Sequence, residues 1–397
     1  MSELARPTAA ECQPPQADIA GLRRIALGVG LVGAAACAIG GWLQPSQFLH
    51  SYLIGYLLWL GVTLGSLVIM MLHHMSRGGW GLVIRRQLEA AVKTLPVMLV
   101  LFVPIALGMQ QLYSWSRPGA TADPLIAHKA LYLNRNFFLL RAAIYFAIWM
   151  FLGLRIVALS RRQDETADPG LWRRMQIVAG PGIVLYCLTA TFASFDWMMS
   201  LDPKWFSSIY GLSFIVGQGL SALAFIILFE VWLARRQPME RYLHPWHLHD
   251  HGKLMLAFVM VWAYFAFSQF LIIWSGNLPE EAPFYVHRTH GSWEIVSLLV
   301  IVLHFALPFV LLLSRDLKRS AKRLAPVAAL VLVARWVEFV WQTVPSVHPE
   351  GLTLHWLDVV APIALGGIWL WFFLGNLQQR PLLPVNDPWL PEALAND

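Results

Sequence analysis

Ten apolar runs, each near the length that crosses a lipid bilayer as a helix, recur along the 397 residues of this chain. A hydrocarbon core about 30 Å thick needs about 20 residues at ~1.5 Å each, and a helix satisfies its own backbone hydrogen bonds there. The runs cover residues 25–43, 48–72, 92–112, 137–159, 181–201, 206–233, 254–274, 293–313, 325–344 and 355–377. They define a transmembrane domain over 25–378, between an N-terminal tail, 1–24, and a C-terminal tail, 379–397. The fold class is therefore an all-α polytopic membrane protein. Composition agrees, since only 13% of residues are charged, about half the share usual in soluble chains. Pro96 and Pro104 predict a kinked third span.

Lys and Arg are unevenly divided between the two sides. The tails and the loops after spans two, four, six and eight hold 20, and the remaining loops hold 5, which places both termini in the cytoplasm. The net charge of +6 is thus a topology signal and not a nucleic-acid footprint. Trp197, Trp205, Trp274, Trp293 and Trp341 fall at the outer interface and Trp80, Trp172 and Trp232 at the inner one, as two aromatic belts. The first run exceeds the h-region of a signal peptide and reads as a membrane helix. Its Gly28, Gly30, Gly33, Gly40 and Gly41 predict close helix contact.

Ionisable groups at membrane depth are functional candidates because each is expensive there unless paired or hydrated. Toward the outer end lie Arg141, Asp196, Glu294, Glu338 and Asp358, with His304 and Arg335 near the middle. The inner half offers Lys93, Glu230, His73 and His74 as a proton entry. Arg335, Glu338 and Gln342 share a stripe at i, i+3, i+7, and Thr189, Asp196 and Ser200 share another on span five. Two readings stand for the Arg335–Glu338 pair: a self-neutralising ion pair that glues helices, or part of a proton path. For His304 the choice is between a satisfied structural histidine and a relay or ligand.

The segment HPWHLHDH has a metal-like composition but reads as a solvated loop in which Asp250 caps span seven. HHMSRGGWGLVIRR, with Arg77, Arg85 and Arg86, reads as an interfacial basic segment on anionic headgroups. Cys12, Cys37 and Cys187, without a CxxC or CxxCH, ligate neither an iron–sulfur cluster nor a c-type haem. No metal site and no covalent cofactor are expected.

SYLIGYLLWLGVTLGSLVIMMLHHMSRGGWGLVIRR, FASFDWMMSLDPKWFSSIYG, FVMVWAYFAFSQFLIIWSGNLPEE and HFALPFVLLLSRDLKR together resemble the ActF-type quinone-binding membrane subunit of alternative complex III, in the polysulfide reductase NrfD-like family. The resemblance covers spans two to ten. It implies two four-helix bundles, spans two to five and six to nine, flanked by helices one and ten. It also implies a bacterial inner-membrane subunit of a quinol:cytochrome c, or quinol:terminal oxidase, oxidoreductase. Menaquinone or ubiquinone is the implied ligand. The implied partners are iron–sulfur and multihaem cytochrome c subunits, which carry the haem c and the clusters, and a second NrfD-like membrane subunit.

Quinol oxidation releases two protons with two electrons, so its site needs a basic group and a wet route outward. Asp196, with His304 or Glu338 as relay, is the first choice, and Arg141, Arg335 and Asp358 complete the quinone and proton candidates. Two further readings stand beside this one. The chain is a structural anchor without a quinone site of its own, or it is a proton-coupled transporter.

Overall fold

The computed structural model describes residues 7–348 and 350–395; the outermost parts of the two tails, 1–6 and 396–397, lie outside the described residues. Ten long apolar helices cross the molecule. They are α1 (Gln16–Leu43), α2 (Pro45–Ser76), α3 (Trp80–Leu107), α4 (Arg135–Thr166), α5 (Gly170–Leu201), α6 (Tyr210–Leu233), α7 (Pro245–Gly276), α8 (Trp293–Leu313), α9 (Ala321–Ser346) and α10 (Leu357–Leu377). Gln16 and Gln378 touch, so the chain enters and leaves at one end, called here the terminal end; the opposite end is the far end.

Helices α2 to α5 pack as one four-helix bundle and α6 to α9 as a second, joined by the contact of α2 with α6. α2 is buried almost throughout because α1, α3, α5, α6, α9 and α10 surround it. Its crossing with α6 depends on Gly65: a Cβ there would stand 1.9 Å from the Gln218 carbonyl oxygen. α10 lies between α1 and α2 and is less peripheral than α1. Gly30 and Gly33 bring α1 onto α10, where a Cβ at Gly30 would meet the Ile368 amide nitrogen at 2.8 Å. Gly41 lies against Phe48, but Gly28, expected in a contact, faces nothing within 4 Å.

The third crossing is broken, as its prolines require. Pro96 opens the piece Leu95–Leu101 and Pro104 the piece Val103–Leu107, each at a first-turn position where the missing N–H is tolerated. Tyr56 and Tyr52 of α2 donate hydroxyl hydrogen bonds to the carbonyls of Met98 (3.1 Å) and Leu101 (2.7 Å) in this stretch. Such partners let an interrupted helix persist at membrane depth.

Three expectations are corrected. The HHMSRGGWGLVIRR segment is no headgroup anchor: Arg85 and Arg86 are buried at the start of α3. Arg85 pairs with Glu89 (3.1 Å) and Asp387 (2.6 Å), and Arg86 with Glu89 (2.7 Å) and Asp164 (2.5 Å). Arg380 closes the cluster on Glu89 and Asp164. Partners from α4 and the C-terminal segment neutralise these charges, so the crossing helix starts at Trp80 instead of 92. HPWHLHDH is likewise helical, forming the first turns of α7 with His244 as its cap, while Asp250 pairs with Lys253 inside the helix. Four of the belt tryptophans, Trp172, Trp197, Trp205 and Trp293, point into the protein, whereas Trp274 is exposed.

Candidate functional site

Each bundle carries one buried carboxylate on its fourth helix, met by a cationic or imidazole side chain from its third. In the first bundle Asp196 of α5 is fully buried and faces Arg141 of α4. Arg141 binds it through Nε to Oδ2 (2.8 Å) and Nη2 to Oδ1 (2.7 Å), a two-pronged pair that fixes the carboxylate plane. Tyr145, one turn after Arg141, donates to Oδ2 at 2.8 Å. The guanidinium also donates to the Tyr132 carbonyl (3.0 Å) and lies 3.8 Å from the Tyr132 ring centroid. Tyr132 sits in the loop before α4, where burial and the nearby carboxylate push its phenol well above the usual tyrosine range. Trp149 and Thr189 continue the contact between α4 and α5 through a 2.8 Å hydrogen bond.

The second centre lies deeper. Glu338 and Arg335 of α9 form an i, i+3 ion pair in which Arg335 Nη1 donates to Oε2. Oε1 accepts from Trp262 Nε1 of α7 (3.1 Å) and Gln342 Nε2 (2.8 Å). Gly217 of α6 makes room for the guanidinium: a Cβ there would come within 2.4 Å of Nη1. Arg335 Nε also reaches Ser221 Oγ at 3.3 Å.

His304 approaches the same carboxylate from α8, within a π-helical turn, Ile301–Ala306. Its Nδ1 is 3.1 Å from Glu338 Oε2, yet both ring nitrogens are buried and neither has a hydrogen bond among the described residues. The Trp262 ring lies 3.9 Å from the imidazole, centroid to centroid. A π turn displaces one residue from α-helical register, a distortion common where a side chain must be aimed at a site.

From Glu338 the polar chain runs toward the far end. Gln342 receives a 2.7 Å hydrogen bond from Tyr210 at the start of α6. Arg288, in the short helix Pro283–Thr289, donates to the carbonyls of Phe284, Trp341 and Gln342. Burial pulls its pKa down to about 10. Toward the terminal end the chain stops. Ser221 and Glu230 are about 13 Å apart along α6, and every residue between them is apolar.

Glu230 meets His251 of α7 through Nδ1 at 2.7 Å, and His251 Nε2 donates to the Trp80 carbonyl at 2.7 Å. His73 packs edge-on against Trp80, and His74 lies beside Trp172 with both ring nitrogens buried and without a hydrogen bond among the described residues. His73 and, through His251, Glu230 therefore meet at Trp80, while His74 stands beside His73 against Trp172.

The ten sequence candidates fall into separate groups. Arg141 and Asp196 meet in the first bundle, and His304, Arg335 and Glu338 meet in the second. Asp358 joins neither: it accepts from Ser51 (2.5 Å), Gln47 (3.2 Å) and the His355 amide (2.9 Å) at the start of α10. Lys93 stands apart from the histidines, bound to Gln379 at 2.6 Å. Tyr145 went unnoticed, although its i+4 spacing from Arg141 was readable. Trp262, Ser221 and Gly217 left no such signal, because only the packing of α6 and α7 on α9 brings them in. No family model matches this chain, and no curated protein matches it.

Proposed function

We propose that this chain is a membrane subunit of a quinol-oxidising electron-transfer complex of the NrfD-like kind it resembles, and that its own task is to hold and pass a proton at the His304–Glu338 centre. The observation that carries this reading is the placement of a buried imidazole, without a hydrogen bond among the described residues, 3.1 Å from a buried carboxylate in a π-helical turn. A proton arriving at that carboxylate transfers to Nδ1, and Arg335 then holds the restored carboxylate. Gln342 and Tyr210 extend the polar route toward the far end, while the apolar stretch of α6 separates it from Glu230 and the terminal-end histidines. Two half-paths around a barrier are what coupling of electron transfer to proton movement requires. The electrons need iron–sulfur and haem c subunits as partners, since three isolated cysteines supply no ligand set here.

For the first bundle a structural role is the better supported one. Both oxygens of Asp196 are occupied by Arg141 and Tyr145, leaving the carboxylate poorly placed to take a quinol proton. The pair instead fixes α4 against α5, a rigid face beside which a quinone head or a partner subunit is held.

The test is purification of the tagged chain in mild detergent, with partner identification, haem spectra and quinone extraction. Expected are c-haem and iron–sulfur partners with bound quinone. In that assembly His304→Gln is expected to lower proton release per quinol while haem content stays unchanged. A solitary chain without redox partners overturns the complex and makes proton-coupled transport the working assignment. Unchanged proton release overturns the relay.

A further inference from the structure

At the terminal end a groove of about 510 Å³ opens between the start of α1 and the last two turns of α6. Its walls are Asp18 of α1, Leu228, Val231 and Trp232 of α6, and Arg235 and Arg236 in the turn that follows α6. Leu228, Val231 and Trp232 share one face of α6 at i, i+3, i+4, and the turn after the helix places Arg235 and Arg236 beyond them, so the wall runs from aliphatic through indole to guanidinium. Arg236 is held in place: Nε donates to Asp18 (3.0 Å), Nη1 to the Trp232 carbonyl (2.6 Å), and the guanidinium lies 3.9 Å from the Trp232 ring. Arg235 is exposed and has no carboxylate partner among the described residues.

We propose that this groove binds one anionic phospholipid. Leu228 and Val231 lie within the membrane-crossing part of α6 and offer the surface for an acyl chain. Trp232 stands where an indole prefers the glycerol region, and Arg235 with the remaining N–H groups of Arg236 meets the phosphodiester. A basic pocket between transmembrane helices matches the charge of such a headgroup. A soluble anion would leave the aliphatic wall uncovered, and a zwitterionic lipid would leave Arg235 without net neutralisation.

The probe is full-length protein, in whatever assembly it purifies, exchanged into nanodiscs of phosphatidylcholine with one-fifth phosphatidylglycerol. Lipids retained after detergent extraction are counted by native mass spectrometry. Wild type is expected to keep one phosphatidylglycerol. Arg235→Gln is expected to weaken that retention about fivefold, as loss of one cation beside the headgroup does. Val231→Trp, which fills the apolar wall without changing charge, is expected to lower it too. Arg162→Gln, removing an exposed charge at the same end, is the control and is expected to change nothing.

Because Arg235 and Arg162 are both exposed, their variants keep the fold, checked by monodisperse elution. Equal retention of the two lipids by wild type, or equal losses in Arg235→Gln and Arg162→Gln, overturns the proposal. Displacement of the lipid by inorganic phosphate at constant ionic strength identifies a plain anion site and also overturns it.

Discussion

His304 Nδ1 and Glu338 Oε2 stand 3.1 Å apart across the α8–α9 contact, and the same oxygen is bound by Arg335. His304 and Arg335 thus share one carboxylate, in a site where none of the three groups is more than 2% exposed. An arrangement of this kind is sensitive to the loss of any one member, because an unpaired charge left behind has no water to turn to.

Glu338→Gln is therefore expected to destabilise the protein by about 3–5 kcal/mol, the magnitude for breaking a buried pair from one side. The double variant Arg335→Met, Glu338→Leu removes both charges and is expected to recover most of that loss, since hydrophobic replacements of buried ion pairs are commonly close to neutral. Thermal unfolding in detergent, followed by tryptophan fluorescence, reads both. Stability and proton release separate here: the double variant regains the first and not the second. If it unfolds as early as Glu338→Gln alone, the charge pair is not what the single substitution disrupts.

Arg141→Lys tests the other centre. Lysine keeps the charge but offers a single ammonium where two guanidinium nitrogens now grip both oxygens of Asp196. Loss of one charge-assisted bond is expected to cost about 1.5–3 kcal/mol. Tyr145→Phe, which removes only the neutral donor, is expected to cost about 1 kcal/mol. Equal melting temperatures for Arg141→Lys and wild type would show that the two-pronged geometry adds nothing over charge alone.

Much of the architecture was readable from hydropathy because the bilayer imposes a length on every crossing, and length is a one-dimensional property of sequence. The ends were not. α1 begins at Gln16 and α3 at Trp80, both well before the apolar runs, because a charge counts as solvated until its partner is known. For Arg85 and Arg86 the partners are Asp164 and Asp387, far away in the chain. The Arg335–Glu338 pair was legible since i, i+3 spacing places both on one helical face. The approach of His304 was not, as it depends on a π turn and on how α8 seats against α9. The meeting of His73 with Trp80, and of Glu230 with Trp80 through His251, was hidden for the same reason: α2, α3, α6 and α7 each contribute one part.

The bundle junction gives a prediction independent of charge. Gly65→Ala is expected to be severe, because its methyl would strike the Gln218 carbonyl, a backbone atom that moves only if α2 and α6 separate. Gly217→Ala crowds the Arg335 guanidinium instead, and overpacking of this type costs about 1–3 kcal/mol. Gly28→Ala, with open space around it, is expected to leave melting unchanged or to raise it slightly. The ranking Gly65, Gly217, Gly28 from most to least damaging, measured by yield of monodisperse protein and melting temperature, checks the crossing geometry. A tolerated Gly65→Ala would mean that α2 and α6 do not cross this closely.

The C-terminal segment 380–395 acts as a staple over the terminal end. Leu382, Leu383 and Leu390 are buried, Arg380 bridges Glu89 and Asp164, and among the described residues Asp387 supplies the only carboxylate on Arg85 from outside its own helix. Truncation after Gln379 would remove Arg380 and Asp387 together, leaving Arg85 and Arg86 balanced by Glu89 and Asp164 but stripping Arg85 Nη1 of its buried partner. Asp387→Asn keeps Arg380 and the shape of the site while removing one carboxylate, so three arginines then face two carboxylates, and it is expected to destabilise by about 3 kcal/mol. Limited proteolysis reads the effect locally: the last turns of α4 and the 167–169 connection to α5 should become cleavable in Asp387→Asn, because Asn386 donates to the Asp164 carbonyl at 2.6 Å and depends on its neighbour for placement. The pair Arg85→Met, Asp387→Leu is expected to restore protection, since it leaves no charge unpaired. Protection that persists in Asp387→Asn would place the holding force in the leucines and Arg380 instead of in the buried pair.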